Sequence, residues 1–370
     1  MAPTSHAYVS SYERPAPDAR PAPAAPGLHV FAAHPASGRL APVQSIGRPN
    51  PTWITTDKAR RYLYACYGPN RPGAHCGIDA YTIDPVTGQL AALACTGIGP
   101  GSPAQLAVAP DSTHMVVANY GSGEYTVHRL GADGSVRQMT DAVRNPGSGP
   151  HPRQDAAHPH AVAFTPDGRF LVAADLGTDT VQTFRLMAGR LHQVSRGHVA
   201  PGSGPRHVAF AAGATTLYVI GELDGDITTF AFDPATGQIG ERLQTVPTSP
   251  PTHTGPQSAA EIALHPSGRL LYASNRGSQT LAAYRVEAST GLLTTIAFTS
   301  DNVAGPTNFA ITPSGDMLYV NSSETDLIVP LRIDQGTGQL HAGGNPTPLR
   351  APNVMQFGAP PPQPRFVPST

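Results

Sequence analysis

Along this chain short apolar, β-rich runs are separated by turns built from Pro, Asp, Ser and Gly, and one phrase keeps returning. One copy reads Pro159-His-Ala-Val-Ala-Phe164, a Pro166-Asp167-Gly168 turn, then Phe170-Leu-Val-Ala-Ala174. A later copy runs Ala260-Glu-Ile-Ala-Leu264, Pro266-Ser267-Gly268, Leu270-Leu-Tyr-Ala-Ser274. Another runs Asn308-Phe-Ala-Ile311, Pro313-Ser314-Gly315, Met317-Leu-Tyr-Val320. Runs of this length bounded by turn residues predict paired β-strands. A third strand follows in each copy, as in Thr180-Val-Gln-Thr-Phe-Arg-Leu186, and leads to a second turn signal: Gly, any residue, then an aliphatic.

That signal occurs at Gly38-Arg39-Leu40, Gly88-Gln89-Leu90, Gly134-Ser135-Val136, Gly189-Arg190-Leu191, Gly237-Gln238-Ile239, Gly291-Leu292-Leu293 and Gly338-Gln339-Leu340. The seven marks lie about 46 to 55 residues apart, the period of a propeller blade. Glycine there allows a positive φ in the hairpin between the third and fourth strands. The pattern predicts an all-β, seven-bladed β-propeller with four-stranded antiparallel blades. His6-Ala-Tyr-Val-Ser-Ser11 reads as a second strand with no first strand before it, and Pro352-Asn-Val-Met-Gln-Phe357 as a first strand with none after it. The two termini are therefore expected to share a blade and close the ring, hiding the sheet edges. One propeller domain is expected over residues 1–370, with 15–26 a Pro/Ala-rich irregular loop and 359–370 a tail. A closed repeat also accounts for a length above the roughly 250–300 residues at which single cores stop growing.

Composition narrows the function. Net charge is −1 and charged residues make up 13 %, so no general field draws the chain to nucleic acid or an anionic membrane. Attraction for an anionic ligand has to come from local placement. No apolar run approaches about 18 residues and no basic segment precedes an apolar one, which predicts a cytoplasmic protein. Cys66, Cys76 and Cys95 are odd in number and lack zinc-ligand spacing, so idle thiols are expected. There is no P-loop, dinucleotide fingerprint or tight metal-ligand set, and no cofactor or metal is expected.

In an antiparallel blade the start of the first strand and the end of the second lie at the same mouth of the ring. The residue after the opening Pro is Thr52, Ala104, His160, Arg206, Thr307 or Asn353, with Ala259 in the remaining blade. The residue past the second strand is Tyr67, Tyr120, Leu176, Glu222, Arg276 or Ser323. His160, Arg206, Glu222 and Arg276 stand out as four chemically loaded side chains at equivalent slots. Singly each has an ordinary structural reading: a strand histidine, an ion pair, a turn cap. Together, partly desolvated near the axis, they form a candidate acid–base site with an arginine clamp for a carboxylate or phosphate. His207 and Glu261 join the arginines as candidate substrate contacts. His207 also reads as support for the channel wall, and Glu261 divides between support and chemistry. His253 sits in a Pro-rich loop and reads as solvated.

Several segments carry a family likeness: Ala157-His-Pro-His-Ala-Val162, Ala174-Asp-Leu-Gly-Thr-Asp179, Gly202-Ser-Gly-Pro-Arg-His207, Glu222-Leu-Asp224, Ala259-Ala-Glu-Ile262 and Ser274-Asn-Arg-Gly277. From about His6 to Phe357 the chain resembles the seven-bladed lactonase family, which includes the propeller type of 6-phosphogluconolactonase and a fungal 3-carboxy-cis,cis-muconate lactonising enzyme. Asn119-Tyr-Gly-Ser-Gly123 and Arg153-Gln154 look like further landmarks. The resemblance implies a metal-independent site at one channel mouth, with the family's His, two Arg and Glu falling on His160, Arg206, Arg276 and Glu222. Gly221, Gln105 and Ser322-Ser323 depart from the family pattern around the pocket and put the substrate in doubt more than the reaction class.

The expected activity is hydrolysis of a small anionic sugar lactone, with the arginines holding the anion and stabilising the oxyanion, Glu222 as general base and His160 as proton donor. A cycloisomerase acting on a muconate-like diacid would use the same groups. A non-catalytic propeller that binds a protein across one face is a third reading, disfavoured by a single Trp, Trp53, and 6 % aromatic residues. No nucleophile elbow is present, so activated water is preferred to an acyl-enzyme.

Overall fold

The structure, a computed structural model, describes residues 5–12, 27–34, 36–48, 50–68, 76–99 and 101–358. The loop expected at 15–26 and the tail at 359–370 lie outside the described residues. The remainder forms seven antiparallel sheets around a central channel, each with strands A to D ordered outward from the axis. Blade 1 comprises Pro51–Thr56, Tyr62–Tyr67, Cys76–Ile83 and Leu90–Gly99, and blade 2 Pro103–Val108, His114–Asn119, Glu124–Leu130 and Val136–Arg144. Blade 3 is Pro159–Phe164, Leu171–Asp175, Thr180–Met187 and Arg190–His198, and blade 4 Pro205–Phe210, Thr216–Gly221, Asp226–Asp233 and Gln238–Pro247. Blade 5 is Ala259–Leu264, Leu270–Asn275, Thr280–Val286 and Leu293–Thr299. Blade 6 is Pro306–Ile311, Met317–Ser322, Leu327–Ile333 and Leu340–Ala342, with Thr347–Pro348 also paired to its third strand. In blade 7, Pro352–Phe357 is strand A and Ser5–Ser11, Leu28–His34 and Arg39–Ile46 follow it, so the two ends of the chain do close the ring. Among the described residues the only helical element is a single turn, Ala212–Ala214.

All seven turn glycines have positive φ, from 68° at Gly38 to 82° at Gly134, a region where a Cβ would be strained. Burial is organised between blades. Seven apolar clusters each bridge two neighbours, as Tyr272 and Leu281 of blade 5 meet Leu318 and Val320 of blade 6. A buried tyrosine in strand B adds a directional tie. The hydroxyls of Tyr8, Tyr64, Tyr218 and Tyr272 donate to the carbonyls of Gly88, Gly134, Gly291 and Gly338, the turn glycines of the next blade. The turn that ends one blade thus becomes a packing and hydrogen-bonding surface for its neighbour.

Strand A is where the fold makes its site. In blades 3 and 4 the ladder pairs Pro159 with Asp175 and Ala161 with Ala174, then Pro205 with Gly221 and His207 with Ile220. His160 and Arg206 are the extra residues of β-bulges, and a bulge re-aims the side chain it carries. The same shift falls at Thr52, Ala104 and Thr307. In blade 5 the register corrects the expected slot. Ala259 pairs with Asn275 as the prolines pair elsewhere, so Ala260 takes the slot and Glu261 lies in the layer of His207. Inner backbone N–H groups are met by side chains: Gln105 accepts from Val162, Ser10 from Val354 and Asn308 from Met355. Such groups need partners because strand A has no further strand on its axial side.

Candidate active site

The end of strand B is fixed the same way in blade after blade. The amides of Tyr120, Leu176, Glu222, Arg276 and Ser323 donate to the carbonyls of Ser102, His158, Gly204, Ser258 and Gly305, each the residue before strand A. This repeated bond makes these five slots equivalent and places their side chains at one mouth; in blade 1 the expected slot is corrected, because Tyr67 pairs with Pro51 as Asn119 pairs with Pro103, so Gly68 stands there. Gly277 follows Arg276 because a Cβ there would lie 2.1 Å from the Pro256 carbonyl oxygen. Asn275 closes the same turn, accepting from the Gly277 amide.

Glu222 is the centre of the cluster. Its Oε2 accepts from Arg206 Nε at 3.0 Å and lies 3.8 Å from His160 Nε2. Its Oε1 accepts from Arg153 Nη1 at 2.5 Å, and Arg276 Nη2 stands 3.0 Å away, in ion contact but out of line for a hydrogen bond. The Glu222 side chain is 5 % exposed. Burial pushes its carboxyl upward, but Arg206, Arg276, His160 and Arg153 outweigh it and hold the group below the usual carboxylate range. Glu222 is therefore an ionised carboxylate facing three guanidiniums.

The His160 side chain is 12 % exposed, and desolvation, then Arg206 and His207, keep its ring well below the ordinary histidine value despite Glu222. It is neutral in the ligand-free protein. Its Nδ1 is buried without a hydrogen-bond partner. His207 and Glu261 sit deeper. His207 Nδ1 is 3.0 Å from Glu261 Oε1, and Asn308 donates to Glu261 Oε2. Burial pushes Glu261 up, but His207 and Arg206 hold it down, so it is ionised; burial keeps His207 neutral. Nδ1–H then donates to Glu261, and Arg206 Nη1, 3.4 and 3.2 Å from the two ring nitrogens, lies over the imidazole face. Arg206 Nη1 also donates to the Ala260 carbonyl at 2.6 Å. Arg206 is locked on every side.

The structure thus brings His160, Arg206, Glu222 and Arg276 together, with His207 and Glu261 behind Arg206. His253 is apart, its ring near the Pro256 carbonyl in the loop before blade 5. Slot reasoning left Arg153 outside the site, although Arg153-Gln154 is visible as a sequence landmark. Arg153 precedes strand A in the loop 145–158, and no position in the strand repeat marks it. Gln154 builds that loop. Fully buried, it donates to Leu176 O and Asp179 Oδ1 and accepts from the His151 amide. Tyr120 was read as a bland slot, yet its hydroxyl accepts from Arg153 at 3.3 Å and its ring stacks on His158 and meets His160 edge-on. Tyr12, at the end of strand B of blade 7, hydrogen-bonds Asn353 within electrostatic reach of Arg206 and Arg276. Burial pushes its hydroxyl up to about 12, so it stays a neutral phenol. A separate cavity of about 230 Å³, lined by Pro110, His114, Phe164 and Gly189, opens among the A–B and C–D turns, away from this mouth.

At the mouth of the seven-bladed ring an ionised carboxylate and a neutral imidazole thus stand under an excess of guanidinium charge. Residues 6–357 match the family model described as "Lactonase, 7-bladed beta-propeller", and the chain belongs to that lactonase family. It is 32 % identical over 260 residues to a 6-phosphogluconolactonase of Bacillus subtilis, covering 70 % of this chain and 73 % of that protein. Among solved structures, a periplasmic gluconolactonase of Pseudomonas aeruginosa superposes with a TM-score of 0.89 at 27 % identity, over 97 % of this chain and 100 % of the other. A Lactobacillus plantarum protein superposes with a TM-score of 0.85 at 28 % identity, over 96 % and 99 %. Among the described residues no helix is long and apolar enough to cross a membrane.

Proposed function

We propose that this protein hydrolyses a small anionic sugar lactone, a phosphorylated gluconolactone being the best-fitting substrate. The observation that carries the reading is the Glu222 cluster: one buried carboxylate among Arg153, Arg206 and Arg276, with His160 at 3.8 Å. Three guanidiniums against Glu222 and Glu261 leave excess positive charge, which an anionic substrate neutralises. The names of the Bacillus and Pseudomonas relatives supply the lactone; the arginines supply the preference for an anion.

Arg206, held in place by Glu222, Ala260 and His207, and Arg276 would fix the substrate and stabilise the oxyanion as water adds to the lactone carbonyl. Glu222 would take the proton from that water. His160 would give a proton to the ring oxygen as the C–O bond breaks. Burial first and the Arg206 charge second keep His160 neutral in the empty site, and a bound anion would offset the second of these and favour the protonated ring that this role needs. His207 and Glu261 would act as supports for Arg206. The reading is metal-independent, since both oxygens of Glu222 and of Glu261 already face nitrogen donors. It includes a cytoplasmic location, supported by the thiols of Cys66, Cys76 and Cys95, which are unpaired in the structure.

The test is the initial rate of 6-phosphogluconolactone opening, corrected for spontaneous hydrolysis. Wild type should exceed background, and Glu222→Gln and Arg276→Ala should each lose at least about a hundredfold in kcat/KM, the usual range for acid–base and oxyanion groups. Wild-type rates at background would overturn the sugar-phosphate reading.

A further inference from the structure

The three guanidiniums around Glu222 are not equally held. The Arg206 side chain is 13 % exposed and bonded to Glu222, Ala260 and His207. Arg276 has its Nε on the Ser258 carbonyl at 3.3 Å and its side chain is 26 % exposed. Arg153 is different. Its side chain is 46 % exposed and donates to Glu222 at 2.5 Å and to the Tyr120 hydroxyl at 3.3 Å. Its backbone cannot follow a ligand, because Gln154 next to it is buried and tied to Leu176, Asp179 and His151. What can move is the side chain, pivoting on a fixed loop at the open mouth.

Glu222 Oε1 is the oxygen covered by Arg153 and Arg276 together. A carboxylate whose lone pairs point at guanidinium N–H groups is a poor proton acceptor until one of them leaves. Arg153 is the most exposed of the three cations, at 46 % against 26 % for Arg276 and 13 % for Arg206, so it is the one a competing anion entering the mouth meets and can draw off. A planar guanidinium with two N–H edges also suits a phosphate better than a single carboxylate oxygen.

We propose that Arg153 is an exchangeable receptor for the phosphate group of the substrate, and that its transfer from Glu222 to that phosphate uncovers Glu222 Oε1 for proton transfer. The proposal rests on the lactonase reading and adds a specificity residue to it. Binding of the correct anion and activation of the base become one event, so a lactone without the phosphate meets a base still covered by Arg153.

The experiment compares wild type with Arg153→Gln and Arg153→Lys in two arms. In the first, calorimetry measures binding of inorganic phosphate. Arg153→Gln should weaken it by about tenfold or more, the worth of a lost charge-assisted contact, and Arg153→Lys should recover part of that. In the second, kcat/KM is measured on 6-phosphogluconolactone and on unphosphorylated glucono-1,5-lactone. Arg153→Gln should lower the first and raise the second, collapsing the ratio by about tenfold or more. Rates that move together on both lactones, or unchanged phosphate affinity in Arg153→Gln, would overturn the proposal. If wild type opens neither lactone, the hydrolase reading fails on its own. The calorimetric arm then still decides whether Arg153 receives the anion, since phosphate affinity lost in Arg153→Gln supports it and equal affinity refutes it.

Discussion

At Glu222 the balance between burial and neighbouring charge decides the protonation state, and it does so through contacts from blades 3, 4 and 5 and the loop before blade 3. Because its folded-state value lies below the ordinary carboxylate value of 4.5, the stabilisation it brings is complete above about pH 4.5 and is lost as pH falls further. The gap in melting temperature between wild type and Glu222→Gln should therefore be widest near neutrality and shrink from pH 4.5 downward; a gap that grows with acid would show that the carboxylate is not held down. His160 is the opposite case. Burial, then Arg206 and His207, disfavour its cation, so the ring should be neutral at pH 5.5 without ligand. Histidine-selective NMR, assigned by comparison with His160→Asn, checks this directly. An imidazolium signal at that pH would contradict the charge balance described above.

Strands and turns were the most readable level. Local chemistry decides them: glycine permits the positive φ at each C–D hairpin, and short apolar runs bounded by turn residues mark the strands. Expected and observed strands agree closely, as for Pro159–Phe164 and Pro352–Phe357. What remained hidden is the bulge in strand A. It depends on pairing with strand B across the channel-facing edge, and this is why the blade 5 slot was set one residue early, at Ala259 in place of Ala260. The strand-B tyrosines allow a controlled test. Tyr272→Phe removes the bond to Gly338 and leaves a buried carbonyl short of a donor, which should cost about 1 kcal/mol in urea unfolding. Tyr319→Phe should be nearly neutral, because the Tyr319 hydroxyl has no hydrogen-bond partner in the structure. Equal losses in the two variants would remove the inter-blade bond from the account.

The whole molecule is a ring of inter-blade clusters, so its weakest point is closure. Strand A of blade 7 is contributed by Pro352–Phe357, and Val354 and Met355 pack between blades 6, 7 and 1. A chain ending at Ala351 would expose the inner edge of Ser5–Ser11 and the apolar faces on both sides. It should be aggregation-prone and lose the single cooperative transition of the full chain in scanning calorimetry. A soluble product with unchanged melting would mean that the ring does not depend on its seam. Closure reaches the site as well, since Tyr12 of the seam blade bonds Asn353 within electrostatic reach of Arg206 and Arg276.

By itself the sequence determined the repeat, the blade count, the closing strands and which blades bring ionisable residues to the mouth, because turn chemistry and short apolar runs act over a few residues. The partners of those residues were decided only by tertiary structure. Arg153 lies about 70 residues from Glu222 along the chain and reaches it from an irregular loop shaped by a buried glutamine. Whether His207 and Glu261 face open space or each other followed from the bulges that stack the inner strands into layers. Local sequence sets the form of a blade, but the identity of a charge's neighbours is settled only when blades from distant parts of the chain meet around one axis.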